Sequence, residues 1–161
     1  MKQVFPLLLI LVPALLFFSC DPNRKCEKAN CPSYTVCQTG QCLCSAGYEG
    51  EFCDVLSYEK YLGSYQVSEN CSPNPGSFYF VTITKYGSDP YTISINNMLD
   101  LGLSAEANVS GEFLTIPSQN MGSLTINGDG QFYSNNGRIV LQYQHDYGNS
   151  LNTCSATLIP Y

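Results

Sequence analysis

In the segment Arg138-Ile139-Val140-Leu141-Gln142-Tyr143-Gln144, residues Ile139, Leu141 and Tyr143 fall on one side of an extended chain and Gln142 and Gln144 on the other. Side chains of a strand point alternately to its two faces, so this stretch reads as a strand with one face in a core and one in water. Just before it, Asn136-Gly137 favours a type I′ turn that joins it in a hairpin to the strand carrying Tyr133. Runs of the same kind recur through the rest of the chain: 61–68, 77–86, 91–96, 105–110, 112–116, 122–127, 131–134, 138–144 and 151–159. Gly, Asn, Asp, Ser and Pro separate them, as in Gly87-Ser88-Asp89-Pro90, and no helix-length amphipathic segment appears after Asp54. Cys71 follows the first of these strands and Cys154 lies within the last. In an up-and-down barrel the first and last strands are neighbours, so closure brings these two cysteines within bridging reach. A Cys71–Cys154 disulfide is expected on that ground; it would close a loop of about 84 residues and contribute on the order of 4 kcal/mol.

Composition narrows the function. The 161 residues are 44% hydrophobic and 12% charged, with a formal net charge of −6, which is enough apolar material for a packed core. Neutralising phosphates requires clustered positive charge, so nucleic acid is not an expected partner. Nine cysteines, six of them between Cys26 and Cys53, indicate an oxidising compartment. At the N-terminus, Met1-Lys2-Gln3 precedes an apolar run from Val4 to Phe18 that is short for a membrane span and interrupted by Pro6 and Pro13. A transmembrane anchor is the alternative to a cleaved signal peptide over 1–19. Ser19-Cys20 after this run resembles a bacterial lipobox, although Phe17 stands where that pattern prefers Leu. The resemblance implies cleavage before Cys20, acylation of Cys20, and a lipid-anchored chain with a polar tether over 20–25. Lipidation of Cys20 also leaves an even number of cysteines to pair.

Cys26, Cys31, Cys37, Cys42, Cys44 and Cys53, with Gly47-Tyr48 and Gly50 in the last gap, resemble the EGF-like module over 26–53. Spacing alone allows fifteen pairings; the resemblance implies Cys26–Cys37, Cys31–Cys42 and Cys44–Cys53. A segment this short buries too little apolar surface to offset its chain entropy, which agrees with a cross-linked module. Zinc is the alternative for such a cluster, but no CxxC pair occurs in it. Tyr48 is expected to pack on the residues after Cys53. Calcium-binding members of the family carry acidic or amide residues before the first cysteine; here Arg24-Lys25 stand there, so no calcium is expected.

Catalytic groupings are sparse. His145, the single histidine, reads as a solvated turn residue beside Asp146. Asp100, Glu106, Glu112 and Asp129 could form an unsignalled carboxylate pair only if folding brought two of them together. No cofactor or metal is expected. The twelve tyrosines are more suggestive: Tyr79, Tyr91, Tyr133, Tyr143 and Tyr147 are candidate binding residues, the alternative being that they cover core and rim. Met98-Leu99-Asp100-Leu101-Gly102-Leu103 could cap a barrel end from inside or form an exposed apolar lip.

The whole layout resembles a group of EGF-like domain-containing lipoproteins of the Bacteroidota type, most closely around Lys60-Tyr61-Leu62-Gly63-Ser64-Tyr65 and Ile116-Pro117-Ser118-Gln119. The resulting expectation is a mostly β chain: a disulfide-rich EGF-like module, then over 54–161 an antiparallel up-and-down β-barrel-like (lipocalin-like) or β-sandwich domain. Its expected role is that of an outer-membrane lipoprotein acting as a non-enzymatic binding, adhesion or scaffold module for a protein or glycan. A carrier of a small apolar ligand is the alternative, and an enzyme with an unsignalled carboxylate pair the remote one.

Overall fold

The structure is a computed structural model that describes residues 26, 27, 29–148 and 150–161. The leader, Cys20 and the tether fall outside the described residues.

The stapled module is built from two ribbons. Strand β1 (Thr35–Gln38) pairs antiparallel with β2 (Gln41–Cys44). Thr39 and Gly40, both at positive φ, form the two-residue connection that suits the twist of such a hairpin. Strands β3 (Tyr48–Glu49) and β4 (Val55–Leu56) pair next, setting Tyr48 opposite Leu56, and the Tyr48 ring stacks on Tyr34 at 4.4 Å. Bridges join Cys26 to Cys37, Cys31 to Cys42 and Cys44 to Cys53.

After one 3-10 turn (Glu59–Tyr61) the chain enters a closed antiparallel barrel of eight strands. These are β5 (Gly63–Ser72), β6 (Phe78–Lys85), β7 (Thr92–Met98), β8 (Leu103–Ser110), β9 (Phe113–Met121), β10 (Leu124–Tyr133), β11 (Arg138–Asp146) and β12 (Leu151–Pro160). Each pairs with its successor and β12 pairs with β5, an up-and-down barrel rather than a sandwich. Cys71 and Cys154 stand directly opposite across the β5–β12 seam, bridged, with Cα atoms 4.1 Å apart. Alternate residues face inward; Ile83, Ile93, Ile95, Leu114, Ile116, Ile126, Ile139 and Leu141 are all at or below 1% exposure.

The strand reading needs three corrections. Segments 122–127 and 131–134 form the single strand β10, because Gly128-Asp129-Gly130 is not a turn. Both glycines occupy inward positions, where a Cβ would collide with Tyr143 at Gly128 and with Leu141 at Gly130. They let the strand bend tightly against the large side chains of β11. Second, Asn136-Gly137 is not a two-residue turn: register Tyr133↔Arg138 leaves a four-residue loop in which only Gly137 has positive φ and Asn136 Oδ1 accepts from the Arg138 N–H at 3.1 Å. Third, β5, β9 and β11 run several residues beyond their expected ends, to Ser72, Met121 and Asp146.

One barrel end is occupied by the module. Tyr61 is fully buried there, packs on Phe132 at 5.2 Å and donates to the Gly111 carbonyl at 3.1 Å. Lys60 pairs with Glu49 at 2.6 Å and sits over the Phe132 ring, while a Cβ at Gly47 would collide with the Pro90 carbonyl, which shows how closely module and barrel approach. The other end, where β5, β7, β9 and β11 finish, is free of the module. There Met98 is buried, Leu99 and Leu103 pack against the core and Leu101 is exposed with Asp100 and Gly102, so the stretch caps the barrel with one of its four apolar side chains outside. Asn97 holds this loop, donating to the Phe80 carbonyl at 2.8 Å and accepting from the Gly102 N–H at 2.9 Å, with Leu99 and Asp100 at positive φ.

Candidate functional site

Two features stand out, one inside the free end of the barrel and one on its outer wall. Inside, the inward row of β5 begins Tyr65, Val67 and then continues Glu69, Cys71. A carboxylate facing a barrel interior needs partners. Glu69 accepts from the Tyr79 hydroxyl at 2.9 Å and from the Tyr143 hydroxyl. Burial first, then the charge of Glu69, pushes the Tyr79 phenol far above its usual range; burial, then neighbouring Tyr79 and Glu69, does the same to Tyr143. Both rings are therefore neutral donors that hold one carboxylate in place.

His145 follows two residues after Tyr143 on the same inward row, 7% exposed, its ring 6.2 Å from Tyr143 and edge-on to Tyr147 at 5.6 Å. Its Nδ1 is buried without a hydrogen-bond partner. Burial lowers its pKa, against the opposing pull of Glu69 and Asp146. The solvated-turn reading of His145 is thus corrected: β11 continues to Asp146 and parity carries the ring inward. Cys71, Cys154 and His145 have their ligating atoms within 4.8 Å of one another, but with both sulfurs in the bridge only the imidazole is an ordinary metal ligand.

On the outer wall, two adjoining solvent-open hollows share Asp129 and Gln142. One is lined by Asn127, Gly128, Gln144 and Thr153. The other reaches Phe113, Gln131, Tyr133 and Val140 and encloses about 380 Å³. The polar groups are oriented by their neighbours: Gln142 Nε2 donates to Ser155 Oγ at 2.8 Å, and Asp129 accepts from the Thr115 hydroxyl at 3.0 Å. Phe113 is 65% exposed, and the Arg138 guanidinium lies 4.8 Å from the Tyr133 ring centre. The result is a surface of amides and hydroxyls flanked by aromatic rings.

The five singled-out tyrosines do not share one face. Tyr79 and Tyr143 are buried inside the barrel and Tyr147 lies at the rim of the same, free end. Tyr91 and Tyr133 belong to the module end, Tyr91 in the β6–β7 loop and Tyr133 at the close of β10. Asp100, Glu106, Glu112 and Asp129 lie on four separate elements: the β7–β8 loop, β8, the β8–β9 loop and β10. The residue that sequence reasoning missed is Glu69. Its signal was parity with Tyr65 and Val67, visible only if the first strand is carried past Ser68 to Cys71.

No family model matches this chain, and no curated protein does. Among solved structures, a redesigned β-barrel is similar over 65% of this chain and 95% of its own, with 13% sequence identity and a TM-score of 0.46.

Proposed function

We propose that the chain is a lipid-anchored cell-envelope protein acting as a non-enzymatic binding module, whose outer-wall groove on β10–β12 meets a protein or glycan partner. The observation that carries this reading is the occupancy of the interior. The inward positions are taken by the chain's own side chains from Tyr61 at the module end to Met98, Met121 and Tyr143 at the other, all at most 3% exposed. Recognition then falls to the outside, and a closed barrel has no free strand edge to pair with a peptide. What remains is side-chain recognition by oriented amides such as Gln142 and by the rings of Phe113 and Tyr133. Anchoring rests on the Ser19-Cys20 motif.

The test is a binding screen of the mature chain against neutral oligosaccharides and envelope proteins, repeated with Gln142→Ala plus Asp129→Ala. Retention of a specific interaction is expected for the wild type and at least about tenfold weaker binding for the variant; an interaction indifferent to both changes refutes the groove. Incorporation of an alkyne-bearing fatty acid into the wild type and not into Cys20→Ser tests the anchor. The carrier alternative draws on the closed eight-strand topology. Saturable uptake of a hydrophobic dye by the chain supports it, and absence of uptake leaves the outer wall as the binding surface.

A further inference from the structure

We propose that Cys71, Cys154 and His145 form a latent metal site: when a dithiol reductant opens the bridge, the two thiolates and the imidazole hold one zinc-class ion inside the free end of the barrel. The three ligating atoms already lie within 4.8 Å of one another. A tetrahedral zinc with two sulfurs at about 2.3 Å and a nitrogen at about 2.0 Å needs them about 3.5–3.8 Å apart. Side-chain rotation supplies that difference, the sulfurs moving apart and the imidazole inward.

The backbone ladders hold the groups together alongside the bridge. The β5–β12 ladder runs from Ser72↔Thr153 to Tyr65↔Pro160, so Cys71 and Cys154 stay opposite when their bond is broken. The β11–β12 ladder sets His145 opposite Asn152 and Tyr143 opposite Cys154, which fixes the imidazole one inward position along from the bridge. Independently of the sulfurs, the His145 Nδ1 is a buried nitrogen with no partner on a side chain 93% removed from water, since its residue is 7% exposed. Such an orphan is uncommon and calls for an explanation. Burial favours the neutral ring, the form that ligates. Glu69, on the same inward row as Cys71, adds negative charge that a dication would offset.

The step balances. The dithiol delivers two electrons and two protons to the Cys71–Cys154 bond and becomes a disulfide; the ion then displaces the two thiol protons to solvent. Cys71 is only half-buried whereas Cys154 is 1% exposed, so the Cys71 side of the bridge is the one nearer to solvent.

The experiment is a cobalt titration of the full chain, anaerobically, after reduction with a phosphine that contributes no competing thiol. The expected wild-type result is thiolate-to-cobalt charge-transfer absorption in the near ultraviolet, with tetrahedral d–d bands in the visible, saturating near one equivalent. The oxidised chain should show neither. Reduction also opens the three module bridges, so two variants locate the ligands. His145→Gln keeps every cysteine and should weaken cobalt binding at least tenfold with altered visible bands; Cys71→Ser with Cys154→Ser should abolish the one-equivalent phase. Identical titrations for wild type and His145→Gln overturn the proposal, whether because the module thiols take the metal or because the reduced barrel has lost its shape. Absence of a band in the wild type overturns it as well.

Discussion

The module and the barrel solve the same problem by opposite means. Between Cys26 and Cys53 three bridges hold a segment whose Tyr34, Val36, Leu43 and Phe52 are 44% to 65% exposed. The barrel carries a single bridge, yet buries nine isoleucine and leucine side chains at or below 1% exposure along with its inward tyrosines. Hydrophobic burial needs enough chain to enclose an inside; below that length, restricting the unfolded state takes its place. The contrast predicts that the barrel responds to changes of packing and the module to changes of connectivity.

The largest effect should come where the barrel borrows the module's device. Replacing Cys71 and Cys154 together by serine should cost about 4 kcal/mol, because the bridge closes a long loop across the seam. Calorimetry should then show the barrel transition lowered by more than about 10 °C, and superposable scans would remove the bridge from the account of closure. Leu141→Ala should cost about 3 kcal/mol in chemical denaturation, since that side chain fills the space left by Gly130. Val36→Ala in the module should stay within about 0.5 kcal/mol, and equal costs for the two would erase the distinction. Opening the module with Cys44→Ser and Cys53→Ser should make 26–53 susceptible to limited proteolysis while leaving the barrel midpoint within about 2 °C; a large shift would show that the barrel leans on the module's covalent frame.

A further effect is a pH dependence. His145 has its pKa lowered in the folded barrel by burial, whereas an unfolded chain titrates it near 6.5. The folded state therefore binds fewer protons in that range, and the contribution is present above about pH 6.5 and lost as pH falls through the folded value. His145→Gln should flatten the decline of thermal stability between about pH 7 and pH 5, and an unchanged slope would remove His145 from the account of that decline.

The barrel was legible because its strands announce themselves by alternation and because cysteines in the first and last of them demand adjacency. Glycine was the misleading signal. At Gly128 and Gly130 the missing side chain is a response to Tyr143 and Leu141 on the next strand, a long-range fact that local turn preferences do not encode. The inner cluster was hidden by strand ends. Ser68 and Gln144 look like natural stops, yet β5 and β11 continue to Ser72 and Asp146 because partners across the ladder satisfy their backbone groups. Two or four extra residues of strand are enough to turn Glu69 and His145 from surface groups into interior ones. The outer groove was out of reach for another reason: it depends on how three curved strands lie side by side, which no single segment reveals.

The bridge across the seam also bears on mechanics. A pull on the chain ahead of the module reaches the barrel through Tyr61 and then β5, which like every strand of the closed barrel is hydrogen-bonded on both sides, here to β6 and β12. Drawing β5 out lengthwise means shearing two ladders together, and Cys71, next to last in that strand, is fastened to Cys154. Tension applied at the stapled end is thus handed to the C-terminal strand by a covalent link, so that the first element to be loaded cannot leave without the last.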